Sequence, residues 1–128
     1  MIRKHKGMGF KPQDVQLLQS FTDDMSKEKW TLLPHSVYRI KSKGGDELER
    51  VMEFIRTTEL RTKDIFEAYF EKQSVLKACY RVPYSDSKDM ILVVAVGRGG
   101  TGKELVTFYF NSKQERHFNL NRSLYGRR

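Results

Sequence analysis

The stretch Val75-Leu76-Lys77-Ala78-Cys79-Tyr80-Arg81-Val82-Pro83 is where the chain changes character, from an apolar repeat of three to four residues to one of two. Leu76, Ala78, Tyr80 and Val82 alternate with Lys77, Cys79 and Arg81. Successive side chains of a strand point to opposite faces, so this predicts a strand with one apolar face, stopped by Pro83. Two more strands are expected downstream. Met90 to Val96 is a continuous apolar run of strand length, bounded by Ser85-Asp86-Ser87 and by glycines, and Leu105 to Phe110 is rich in β-branched and aromatic residues. A fourth, short element is expected around His117 to Leu120.

Upstream the spacing is helical. Pro12 suits a first helical turn, and Val15, Leu18, Phe21 and Met25 recur on one face, which predicts a helix over 13–25. Asp46 followed by Glu49 is a capping-box pattern, and Leu48, Val51, Met52 and Ile55 form an apolar stripe, predicting a helix over 46–58. Another helix is expected from Thr62, with Ile65, Phe66, Tyr69 and Phe70 pairing at four-residue spacing. Between these, His35 to Lys43 fits a helix and a strand alike, and Gly44-Gly45 ends it. Helices first and strands afterwards make an α+β fold, with N-terminal helices packed on one face of a C-terminal antiparallel sheet of three to four strands.

A chain of 128 residues has room for one domain, 1–128. Hydrophobic residues at 38% and charged residues at 31% suit a folded chain better than a disordered one. No apolar run approaches the roughly 20 residues of a membrane span, and the basic start lacks an apolar signal core, so a cytoplasmic protein with no membrane partner is expected. The single cysteine, Cys79, has no partner for an internal disulfide and reads as a buried thiol. No His, Cys and carboxylate cluster has metal-ligand spacing, so neither a metal nor another cofactor is expected.

The net charge is +8, and its placement is informative. Residues 1–11 carry Arg3, Lys4, Lys6 and Lys11 with no acid, and residues 112–128 carry Lys113, Arg116, Arg122, Arg127 and Arg128 against Glu115. These segments hold the whole excess, while residues 12–111 are neutral in sum. Flexible basic ends, at about 1–11 and 122–128, around a neutral body suit contact with backbone phosphate, because each neutralised phosphate releases condensed counterions. RNA is the expected partner.

Gly97-Arg98-Gly99-Gly100-Thr101-Gly102-Lys103 matches the opening of a phosphate-loop pattern and follows a predicted strand. A phosphate loop then needs Ser or Thr and a helix, whereas Glu104 and the strand-forming Leu105 to Phe110 follow. A glycine-rich hairpin is expected instead, with Arg98 and Lys103 available to nucleic acid. In a helical reading of the ambiguous segment, His35, Arg39 and Lys43 share a face, which sets an imidazole beside two cations, the ingredients of proton transfer next to phosphate. On the sheet, Val106, Phe108 and Phe110 are expected on one face, and Leu105, Thr107 and Tyr109 on the other. The face away from the helices would then present Arg81, Lys77, Thr107 and Tyr109 as a polar, cationic and aromatic array.

His35 with Arg39, then Lys43-Gly44, followed by the strand Leu92 to Val96 and the run Leu105-Val106-Thr107-Phe108-Tyr109, resembles the layout of the small toxin-type nucleases of the barnase, EndoU, colicin and RelE group, the BECR fold. The resemblance spans residues 34–112 and departs over 46–72. It implies a metal-independent endoribonuclease in which the ribose 2′-hydroxyl attacks phosphorus. His35 would transfer a proton, Arg39 and Arg81 would clamp phosphate, Thr107 or Tyr109 would hydrogen-bond, and His117 is the rival proton-transfer residue. Lys43, Lys77, Arg98, Lys103, Lys113, Arg116 and Arg122 would bind RNA, and an acidic immunity or antitoxin protein would be a partner. The opposing expectation is a non-catalytic nucleic-acid-binding or assembly protein that uses the same basic ends.

Overall fold

The computed structural model describes residues 2–24, 45–97 and 102–113. In chain order these form strand β1 (Ile2–His5), helix α1 (Pro12–Asp23), helix α2 (Gly45–Thr57) and strands β2 (Ile65–Glu71), β3 (Ser74–Pro83), β4 (Lys88–Val96) and β5 (Lys103–Ser112). The strands make one antiparallel sheet whose spatial order, β1-β2-β3-β4-β5, is also the chain order. The class is α+β, as the sequence implies. Among the described residues the sheet has five strands instead of three to four, and it begins with a strand ahead of the helices. The element expected around His117 to Leu120 lies outside the described residues.

One of the two unforeseen strands has a local turn behind it, and the other depends on a distant partner. The helix expected from Thr62 is a single 3₁₀ turn, Thr62–Asp64, after which Ile65 to Glu71 runs extended. Its aromatic and β-branched residues satisfy a strand as readily as a helix once a bulge sets Phe66 and Glu67 against the same stretch of β3. Lys72 then adopts a left-handed conformation, φ 57°, and turns the chain into β3 without a glycine to announce the hairpin. At the other end, Ile2–His5 pairs with β2, Ile2 opposite Phe70 and His5 opposite Glu67, where the charge pattern suggests a loose basic end.

The core lies between the helices and one sheet face. Leu18 and Phe21 of α1, Val51 and Ile55 of α2, and Ile65, Phe70, Tyr80, Met90, Leu92 and Phe108 of the sheet form one buried cluster. In α1 the inward stripe includes Asp14, Leu18 and Phe21, while Val15 is exposed. Tyr80 is fully buried, and its hydroxyl meets that of Thr22 on α1 at 2.8 Å. Another bulge, where Val93 pairs with Thr107 but Val94 with Leu105, corrects the facing of β5. Leu105 joins Phe108 in the helix-side core, and Val106 packs on the opposite cluster. The extra bulge residue reverses the alternation, which strict period two cannot anticipate.

Candidate nucleic-acid interface

The strand register orders the face away from the helices into cross-strand rows. Arg3, Tyr69, Lys77, Ala95 and Glu104 make the first, and His5, Glu67, Cys79, Val93 and Thr107 the second. Arg81, Ile91 and Tyr109 follow, then Asp89 and Asn111. Arg81, Thr107, Tyr109 and Lys77 therefore do share one face. That face is not the wet array expected, because its middle is a second apolar cluster of Phe66, Cys79, Ile91 and Val93 with Val106 against it, to which neither α1 nor α2 contributes. Thr107 belongs to this middle and is buried. Burial raises the Cys79 thiol well above its ordinary range, and the neighbouring Glu67 raises it further, so the thiol stays protonated.

Charge collects at the two ends of the face. At one end Arg81 donates from Nε to Oδ2 of Asp89 at 2.8 Å and from Nη2 to the Ser112 carbonyl at 3.0 Å. The guanidinium carries five N–H groups, and these contacts use two of them. Lys113 donates to the other Asp89 oxygen at 2.8 Å. Burial alone would raise the Asp89 carboxyl, but the hydrogen bonds from Lys113 and Arg81 outweigh it and hold the group below the usual carboxylate range. Two cations thus share one anion, and Tyr109, 39% exposed, lies in the same row as Arg81. A surplus of fixed positive charge beside an accessible phenol suits a phosphate with its attached base or sugar.

The remaining predicted residues are scattered. Lys77 is at the opposite end, its ammonium 4.3 Å from the Tyr69 ring centroid. Lys103 faces the helix side, bonded to Asp24 at 3.3 Å and 5.0 Å from the centre of the Phe21 ring, so it does not belong to this face. The glycine-rich segment leads into β5, and a phosphate loop would lead into a helix. His35, Arg39, Lys43, Arg98, Arg116, His117 and Arg122 lie outside the described residues.

Glu67 is the residue that sequence reasoning missed. It is fully buried, accepts a hydrogen bond from the Tyr69 hydroxyl at 3.2 Å, and has Arg3 at 3.5 Å and the Cys79 sulfur at 4.0 Å. A helical reading of 62–72 puts Glu67 and Glu71 together on a solvated face and conceals this. The signal available was Glu67 amid Ile65, Phe66, Ala68 and Phe70, since a lone carboxylate in an apolar strand needs partners. Comparison of the chain with protein-family models, with curated proteins and with solved structures finds no match.

Proposed function

We propose that this protein binds RNA through the sheet face opposite its helices, with Arg81, Lys113 and Tyr109 contacting the sugar–phosphate backbone. The observation that supports this most directly is the pairing of both Arg81 and Lys113 with the single carboxylate of Asp89. The net charge of +8, concentrated in residues 1–11 and 112–128, adds attraction at longer range. Among the described residues, no helix is long and apolar enough to cross a membrane.

A metal-independent endoribonuclease is the second reading. It is favoured by the placement of Arg81 and Tyr109 in one cross-strand row, with Thr107 too buried to contact RNA, and it rests on the BECR-type resemblance. In it a base, His35 or His117, takes the 2′-hydroxyl proton and the freed oxygen bonds to phosphorus. The 5′-oxygen leaves and is protonated, giving a 2′,3′-cyclic phosphate and a 5′-hydroxyl.

One experiment addresses both readings. Purified protein is titrated into labelled single-stranded RNA between 50 and 200 mM salt in the presence of EDTA, and the RNA is then run on a denaturing gel. Affinity should fall by roughly three-hundredfold or more over that interval for six or more phosphate contacts on a single strand, and Arg81→Gln should flatten the dependence. Affinity indifferent to salt would sink the binding proposal. New bands with cyclic phosphate ends, lost in His35→Ala or His117→Ala, would promote the ribonuclease reading.

A further inference from the structure

We infer that Arg3, Lys77, Tyr69 and Glu67 form a second phosphodiester subsite, at the end of the same sheet face remote from Arg81. This rests on the RNA-binding reading above. Arg3, Tyr69 and Lys77 occupy one cross-strand row over β1, β2 and β3. The two cations converge on Tyr69 from either side. Arg3 is its register partner on β1, and the Lys77 ammonium lies 4.3 Å from the ring centroid. Long basic side chains on a strand surface ordinarily spread into water, where their hydration is best. Here the Lys77 ammonium lies over the Tyr69 ring, and Glu67 holds Arg3.

Behind them lies Glu67, which is fully buried and is the anchor of the arrangement. Its carboxylate takes the Tyr69 O–H at 3.2 Å and attracts Arg3 at 3.5 Å, so it acts on a ligand only through those side chains and is a positioning residue. Burial raises the Tyr69 hydroxyl above its ordinary value, and Glu67 raises it further, so Tyr69 remains a neutral donor. Arg3 is about one third exposed, so an anion can reach it from solvent. His5 completes the group. It faces Glu67 across β1 and β2, and its Nδ1 is the one buried side-chain nitrogen or oxygen among the described residues without a hydrogen-bond partner.

This subsite and the Arg81–Lys113 end are separated along the strands by the apolar middle, so each can hold a different phosphate of one strand. Glu71 and Glu104, exposed at the margin of this end, oppose any anion that approaches from the side.

The test uses the full-length chain and a labelled single-stranded RNA of mixed sequence. The slope of log affinity against log salt is compared for wild type, Arg3→Gln, Lys77→Gln and the control Lys88→Gln, an exposed residue adjacent in sequence to Asp89 and so on the other side of the pleat. Arg3→Gln and Lys77→Gln should each reduce the slope by about 0.7, the contribution of one single-strand phosphate, and the control should not. Glu67→Gln should weaken affinity, and by less in the Arg3→Gln background, where only its hold on Tyr69 remains to be lost; equal losses in both backgrounds would overturn its positioning role. If wild type binds RNA and these variants keep its slope, the subsite is overturned alone. If wild type does not bind RNA, the subsite falls together with the function on which it rests.

Discussion

Lys4 of the edge strand β1 and Asp14 of helix α1 are joined through both carboxylate oxygens, the ammonium donating to Oδ1 at 3.0 Å and to Oδ2 at 2.9 Å. Oδ2 also accepts the backbone N–H of Lys11 at 3.0 Å, so one buried carboxylate caps the helix and ties it to the sheet. Asp14→Asn should therefore lower stability by about 1–2 kcal/mol, read as a shift in urea midpoint at unchanged slope. Burial would raise this carboxyl, but the hydrogen bonds from Lys4 and Lys11 prevail and lower it. A carboxyl lowered in the folded state stabilises above its unfolded value, near pH 4, and that share is lost as pH falls through and below it. The gap between wild type and Asp14→Asn should narrow accordingly in acid.

Tyr80 and Thr22 make the complementary prediction at high pH. Burial pushes the Tyr80 hydroxyl up to about 12, even though the hydrogen bond to Thr22 works the other way. An acid raised in the folded state costs stability once the unfolded chain can ionise, so this contribution is lost between about pH 10 and 12. Tyr80→Phe leaves the Thr22 hydroxyl without this partner and should cost about 1 kcal/mol at pH 7, an effect that shrinks above pH 10. Difference absorbance at the phenolate band, flat for one tyrosine until the protein unfolds, is the accompanying measurement.

Cys79 is the chain's single cysteine and is buried under the sheet face. With its thiol raised by burial and by Glu67, it should react with a thiol reagent only through opening of the fold. Labelling at pH 8 should be slower than in denaturant by about a thousandfold or more for an ordinarily stable domain. Rapid labelling of the folded protein would show that the face opens readily.

Gly102 has φ +71°, and an added Cβ there would meet nothing within 4 Å. The cost of Gly102→Ala is then conformational alone, about 1 kcal/mol, and Asn should be tolerated better than Val. Lys103→Ala should cost about 1 kcal/mol, through lost packing against Phe21 more than through the ion pair, whose partner Asp24 is highly exposed. Calorimetric titration with ATP and magnesium should give no saturable heat in wild type; micromolar binding would restore the phosphate-loop reading.

The helices over 12–23 and 45–57 and the strands β3, β4 and β5 were legible in the sequence because burial on one side imposes a period, and Leu18, Val51, Ala78 and Phe108 carry it. What escaped was settled by contacts between distant residues. Ile2 to His5 is too short and too charged to declare itself a strand until β2 supplies its hydrogen bonds. The segment from Ile65 to Glu71 satisfies both periods, and Lys72 in place of glycine hid the turn that decides between them. Arg81, Thr107 and Tyr109 could be assigned to one face, but neither the burial of Thr107 nor the two cations on Asp89 follows from residues read singly. Glu67 became visible only with the strand that contains it.

The sheet's order along the chain carries a further consequence for assembly. β2 through β5 form successive hairpins, whose pairings close short loops and so form early at little entropic cost. β1 is different: Ile2 meets Phe70 only after both helices have been laid down between them, making this the pairing of greatest sequence separation in the sheet. The place of β1 on β2 is thus prepared long after β1 itself has been made. During synthesis the basic N-terminal segment must wait, unpaired, until β2 has emerged, and in the finished protein it is the strand whose departure disturbs the fewest neighbours. Its hold on β2 sets how readily the Arg3 end of the face is assembled or lost.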